Sequence, residues 1–305
     1  MRIVLIGQAA FGESVLKRLL DGGHEVVGVA APGTKEGARP DPLRAAAEGA
    51  GLPVFETRRL RRPEVFAEYA ALQPELNVMA FVTDIIRENV LNAPPLGTIQ
   101  YHPSLLPRHR GISSINWALI HGDATTGLTI FWVDAGIDTG PILLQKEVPV
   151  GPDDTVGSIY FNQLFPLGVE AMLEAVDLVK AGNAPRIVQD ESKATYEPPC
   201  AEEHTRIDWQ APADAVYNLL RGSNPQPGAV TRFAGAPLKV FDVERLPAAQ
   251  GAPGTVLSVD AAGVTVALSA GAVRLKRVSP EGQGKIAAAD WAQAAGVQPG
   301  ATLGA

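Results

Sequence analysis

The sequence has one cysteine in 305 residues and few aromatics, 6% in all. A single thiol, Cys200, excludes an intramolecular disulfide framework and a thiolate zinc site. It lies in a loop-like stretch, EPPCAEEH, as a free linker thiol. No apolar run approaches the ~20 residues needed to cross a bilayer. The opening MRIVLIG is continuously apolar only from Ile3 to Ile6, after which the periodicity becomes helical, so it reads as a first strand and not a secretory leader. An excess of positive charge is missing too. Lys+Arg 26 against Asp+Glu 33 leaves a formal charge of -7, which excludes a generally basic nucleic-acid-coating protein but leaves local patches open. There is no internal repeat. What is present, 46% hydrophobic and 19% charged residues, suffices for a sizeable core and about two domains. These features predict a soluble protein of a reducing, cytoplasmic compartment, without a membrane partner.

The hydrophobic pattern then sets the fold class. Ile3 to Ile6 is a β-branched run ending in Gly7, as in a strand covered on both faces. Phe11, Val15, Leu16, Leu19 and Leu20 recur at helical spacing until Asp21-Gly22-Gly23, and Glu25 to Val29 is the next strand. This β-α-β opening predicts a doubly wound, mostly parallel α/β domain. Helices are expected over 41–49, 62–72, 84–91, 115–121 and 154–181, and strands over 53–55, 76–81, 97–101 and 127–133. Residues 182–206 are polar and rich in Pro and Glu, as in a linker or surface strap. A helix from Ala211 to Leu220 and several short strands from Gly228 onward predict a small β-barrel, OB-like. The expected division is a catalytic domain over 1–205, with 182–205 as linker, and a C-terminal barrel over 206–305.

Candidate chemistry falls on two segments. A dinucleotide turn is not among them: GQAAFG places Ala9 where the second glycine belongs, and GVAAPG lacks the acidic residue expected at the end of the second strand, so no NAD is expected. YHPSLLPRHRGISSINWALIHGD (101–123) puts His102 directly after a strand, where open α/β sheets place their sites. Ser104, Arg108, His109 and Arg110 supply donors to the exit loop, and Leu105 and Leu106 would pin it to the body. WVDAGIDTGPILL (132–144) carries Asp134 and Asp138 on a second strand-end loop, read as reaching the same sheet edge. An imidazole and a carboxylate brought together can act in general acid–base catalysis or stabilise a tetrahedral intermediate. No G-x-S-x-G nucleophile is present. No metal-ligand spacing is present either, since His102 and His109 lie seven apart across two prolines.

The pair HPSLLPRHRG (102–111) and DAGIDTGPILLQ (134–145) resembles the formyltransferase family that uses 10-formyltetrahydrofolate. That family includes methionyl-tRNA, glycinamide ribonucleotide and sugar N-formyltransferases and the hydrolase domain of 10-formyltetrahydrofolate dehydrogenase. The resemblance covers nearly the whole chain, AVRLKRVSPEGQGKIAAADW included, and leans toward the dehydrogenase's hydrolase domain. It implies His102 and Asp138 as the catalytic pair, with Gln100 as the carboxamide beside them. It places the pterin against Phe81, Ile85, Ile86, Val133, Asp134, Ala135 and Gly136. Ser104, Leu105, Leu106 and Arg110 fall on the substrate loop. The donor implied is 10-formyltetrahydrofolate, with no metal.

One position departs from the family. The transferases carry Asn two residues before the catalytic His, and this chain has Gln100, whose extra methylene moves the amide by roughly 1.5 Å. The expected reaction is therefore release of tetrahydrofolate with the formyl group passed to water or to an unassigned acceptor. Methionyl-tRNA or sugar-amine formylation is the alternative, and a non-catalytic folate-binding protein a further one. Initiator tRNA is possible but disfavoured as a partner, because Lys35 and Arg39 are offset by Glu36 and Asp41. The basic clusters RRLRRPE (58–64) and RLKRV (274–278) remain as possible contacts.

Overall fold

Strands apolar at almost every position form the middle of a seven-stranded sheet. In a computed structural model describing residues 1–304, the chain alternates β1 (Arg2–Gly7), α1 (Ala9–Asp21), β2 (Glu25–Ala31), α2 (Pro42–Gly49), β3 (Val54–Glu56), α3 (Pro63–Ala71) and β4 (Leu76–Ala80). After α4 (Glu88–Leu91) come β5 (Thr98–His102), α5 (Ser114–Ile120), β6 (Thr125–Trp132) and β7 (Ile142–Pro149). The sheet order is β3-β2-β1-β4-β5-β6-β7. Pairing is parallel from β3 through β5, whereas β6 runs antiparallel to β5. Every residue of β4, and all but Arg2 of β1, is buried, as expected where helices cover both faces. α1 turns Phe11, Val15, Leu16 and Leu19 inward at helical spacing.

Strand order reverses between β1 and β4, and the carboxyl ends of strands at such a reversal are where open α/β sheets place their sites. Gly7 is required there, because a Cβ would stand 2.3 Å from the Ala80 carbonyl oxygen. The absence of a side chain thus serves close strand packing. His102 ends β5, the next strand along.

Three local departures from the sequence reading have physical causes. The expected helix over 154–181 is α6 (Val156–Ile159), a π-helical turn (Tyr160–Leu164) and α7 (Phe165–Lys180). Pro166 lies in the first turn of α7, where its missing N–H costs nothing; inside a longer helix it would break the ladder. Within 84–91 only α4 is helical. β7 went unread: it is the last strand of the sheet, and its burial fades into alternation after Leu143.

The chain divides into two compact units. The first holds residues 1–112, 127–148 and 162–196, and the second holds 113–126, 149–161 and 197–305. In the second, α8 (Ala213–Gly222) is followed by β8 (Ala229–Phe233), β9 (Ala236–Val240), β10 (Val243–Leu246), β11 (Val256–Asp260), β12 (Gly263–Ala267), β13 (Ala272–Leu275), β14 (Arg277–Pro280), β15 (Ile286–Ala287) and α9 (Ala288–Ala295). These strands form two four-stranded sheets, β10-β13-β12-β11 and β15-β14-β9-β8, whose pairs are antiparallel. Val264, Val266 and Leu275 from one sheet share a core with Leu238, Val240 and Val278 from the other, closed by Trp209 and Trp291. Among the described residues, no helix is long and apolar enough to cross a membrane.

Candidate active site

His102 is 4% exposed and lies opposite Thr129 of β6. The loop after it is held by that threonine. Thr129 Oγ1 donates to the Ser104 carbonyl (2.7 Å) and accepts from Leu106 N–H (3.1 Å). Gln145 Nε2 donates to Thr129 Oγ1 (2.9 Å) and to the Leu106 carbonyl (2.8 Å). Leu106 packs on Phe131 and Ile142, and Ser104 Oγ donates to the Arg108 carbonyl at 2.7 Å. The loop therefore arrives at His109 in one conformation, with its carbonyl 2.8 Å from His102 Nε2. A carbonyl only accepts, so that nitrogen carries the proton. Nδ1 then faces Asp138.

Asp138 is 8% exposed and presents Oδ2 to His102 Nδ1 at 3.6 Å, an ion-pair distance just beyond hydrogen-bond length. The same oxygen accepts from Gly111 N–H at 2.8 Å. Because β6 is antiparallel, its end lies beside the start of β5: Val133 N–H donates to the Thr98 carbonyl. The end of β6 therefore lies away from His102, and the loop itself carries Asp138 to the sheet edge where the imidazole stands. It doubles back to bring Asp138 against the imidazole. Asp134 shapes the return, with Oδ1 accepting from Gly136 N–H (3.0 Å) and Thr139 Oγ1 (2.6 Å). Gly140 allows it, since a Cβ would lie 1.7 Å from the Trp132 carbonyl oxygen. Asp138 has φ +56, a left-handed conformation that side chains other than glycine rarely adopt and that neighbours must hold.

The other sequence-selected residues divide by environment. Gln100 is half-buried on β5, two positions before His102 and so on the same sheet face. Its carboxamide makes no hydrogen bond among the described residues. Phe81 (37% exposed, φ +58) follows directly on β4, and Ile85 is 96% exposed. Ile86 is turned into the core beside Val4 and Val90, with Val133 packed against the same cluster. Asp134, Ala135 and Gly136 are exposed, Leu105 is half-buried and Ser104 is buried. Arg110 is buried: its guanidinium forms a two-pronged pair with Glu191 (2.6 and 3.0 Å) and donates to Gln189 Oε1 (2.8 Å). The Glu191 hydrogen bond holds the guanidinium firmly charged against the cost of burial, and it draws the Glu191 carboxyl below the usual carboxylate range.

Several residues that hold this site were not selected in the sequence. Gly111, Thr129, Gln145 and Gln189 are single polar or small residues in ordinary surroundings, and their partners are distant in the chain. Exposed Ile112 and Ile137 add apolar surface to the loops carrying the pair, the kind of surface an aromatic ligand covers.

The chain is similar to known proteins along most of its length. A formyl transferase family model matches residues 1–176, and the model of the formyl transferase C-terminal domain matches 200–296. The cytosolic 10-formyltetrahydrofolate dehydrogenase of Xenopus tropicalis is 48% identical over 83% of this chain, which covers 29% of that protein. The chain thus spans under a third of the length of the dehydrogenases it matches. The methionyl-tRNA formyltransferase of Symbiobacterium thermophilum is 39% identical over 98% of this chain and 94% of its own length. Among solved structures, HypX of Aquifex aeolicus in complex with tetrahydrofolic acid shares the fold (TM-score 0.72, 21% identity, 96% of this chain and 47% of that one).

Proposed function

Since the chain belongs to the formyl transferase family, we propose that it removes the formyl group of 10-formyltetrahydrofolate, releasing tetrahydrofolate, with water as acceptor. The observation that carries this reading is the buried His102–Asp138 pair, 3.6 Å apart, with the uncommitted carboxamide of Gln100 two residues upstream on the same strand face. The pterin lies over the apolar surface of Phe81, Ile85 and Val133, against the backbone from Asp134 to Gly136. Water attacks the formyl carbon and a tetrahedral oxyanion forms. The Gln100 carboxamide N–H donates to that oxyanion, joined by His102 Nδ1 once that nitrogen has taken the proton from Asp138. Asp138 accepts the proton of the attacking water. The C–N10 bond then breaks and N10 takes a proton relayed through His102, leaving formate and tetrahydrofolate. Asp138 and His102 exchange that proton through one bridging water or after a small closure.

Two observations favour water over a macromolecular acceptor. Gln100 replaces the shorter Asn of the transferases, and displacing a transition-state donor by about 1 Å costs on the order of 100-fold in rate. The basic cluster at 274–278 is also largely neutralised: Arg274 and Lys276 share Glu244, and Arg277 faces Asp242, whereas in the cluster at 58–62 Arg58 alone is paired, with Asp84, among the described residues. The second reading, methionyl-tRNA formylation, rests on the match to nearly the full length of a methionyl-tRNA formyltransferase. Tetrahydrofolate release measured with no acceptor, with charged initiator tRNA and with amino sugars separates the readings. Acceptor-independent release that disappears in His102→Ala and Asp138→Ala supports hydrolysis. Release only with tRNA, and salt-sensitive tRNA binding, supports the second reading. Folate binding without any turnover leaves a binding protein.

A further inference from the structure

We infer that Gln189 is the positioning residue of this site: it locks the two loops that hold His102 and Asp138 into one geometry. Its carboxamide has two donors and two acceptor lone pairs, and the protein uses all of them. Nε2 donates to the carbonyls of Asp138 (2.8 Å) and Gly140 (2.7 Å). Oε1 accepts from Arg110 Nη2 (2.8 Å) and Nε (3.3 Å). With the residue 5% exposed and its polar capacity filled, Gln189 has nothing to offer a ligand. It acts on the protein.

The neighbours of Arg110 show what is held. The preceding residue, His109, supplies the carbonyl that fixes His102 Nε2, and the following one, Gly111, supplies the N–H that fixes Asp138 Oδ2. Gln189 therefore closes a ring: His102 to His109, along the backbone to Arg110, across to Gln189, to the Asp138 carbonyl, and from the Asp138 carboxylate back to His102. The left-handed backbone of Asp138, unfavourable in isolation, is held at its carbonyl by Gln189 and at its carboxylate by Gly111.

A simpler role, fastening the surface strap around residues 187–196, is already filled by other groups. Ile187 and Ile142 exchange both backbone hydrogen bonds at 2.8 and 3.0 Å. Thr195 bonds through its backbone to Arg110 and Pro107 and through Oγ1 to His109 N–H. Glu191 pairs with Arg110. Removing the Gln189 carboxamide leaves the strap attached and frees the Asp138 loop.

The assignment rests on the proposed role of His102 and Asp138 and is tested by two readouts, one independent of turnover. Gln189→Leu keeps the bulk and deletes every hydrogen bond; Gln189→Glu keeps the acceptor for Arg110 but turns an acceptor toward two carbonyls. Both are expected to lower kcat for 10-formyltetrahydrofolate by about 10- to 100-fold, the scale of an ångström-sized misplacement, with KM changed less than about threefold. In the same variants the ¹⁵N shifts of the His102 ring move toward those of Asp138→Asn. Val188→Ala, on an exposed position of the same strap, keeps wild-type kcat and wild-type shifts. If Gln189→Leu does not fold, Gln189→Glu carries the same test. Unchanged kcat with unchanged ring shifts, or a loss that follows only the folded fraction, overturns the inference. Wild-type inactivity on this donor with ring shifts that still move in Gln189→Leu instead refutes the proposed reaction and leaves the positioning role standing.

Discussion

Thr129→Val removes one hydroxyl and preserves the β-branched shape. The residue is fully buried, and Oγ1 joins three groups: the Ser104 carbonyl, the Leu106 N–H and Gln145 Nε2. Gln145 retains its second bond, to the Leu106 carbonyl. The Ser104 carbonyl and the Leu106 N–H lose their side-chain partner. A buried polar group left unpaired costs about 1–3 kcal/mol, and the added methyl returns about 1 kcal/mol of apolar burial, so the net loss is roughly 3 kcal/mol. In a unit of this size each kcal/mol lowers Tm by about 2–4 °C, predicting a fall of about 6–12 °C by calorimetry. Turnover should fall about tenfold below the melting range as well, because the loosened segment carries the His109 carbonyl that orients His102. A Tm within about 1 °C of wild type would refute the claim that this hydroxyl sets the loop.

The remaining predictions concern charge, reactivity and acceptor choice. Burial pushes the Cys200 thiol up to about 11, so at pH 8 its thiolate fraction is on the order of 100-fold below that of an ordinary cysteine. Labelling with a chromogenic disulfide should be correspondingly slow, and a rate matching free cysteine contradicts the burial. Arg110 depresses the Glu191 carboxyl. Their pairing is therefore complete above the unfolded value of about 4.3 and is lost as pH falls through the lower folded value. Amide protection over residues 187–196, taken relative to the intrinsic exchange rate, should fall through that acid window, and Glu191→Gln should remove the pH step. Gln100→Asn retracts the carboxamide by one methylene, and an amine acceptor should gain at least about tenfold over water in the product ratio; an unchanged ratio removes Gln100 from acceptor choice.

How much of this was legible follows the range of the interactions. The apolar runs of β1 and β4 announce buried parallel strands because they are covered on both faces. His102 stands out because a strand ends on it. Asp138 was visible as a loop carboxylate, but its route was not: the direction of β6 depends on pairing with β5, and no local pattern encodes that choice. β7 escaped as the last strand of the sheet with fading burial. The π turn before α7 could have been anticipated from Pro166. Gln189 could not, being one amide in a polar stretch whose partners lie 49 to 79 residues away.

The central claim, that the His102–Asp138 site passes a formyl group from folate to water, is tested most directly by turnover of 10-formyltetrahydrofolate in H₂¹⁸O without added acceptor. The account predicts one ¹⁸O-labelled formate for each tetrahydrofolate released by the wild type, and neither product from Asp138→Ala. Unconsumed donor, or labelled formate formed equally by Asp138→Ala, would contradict it.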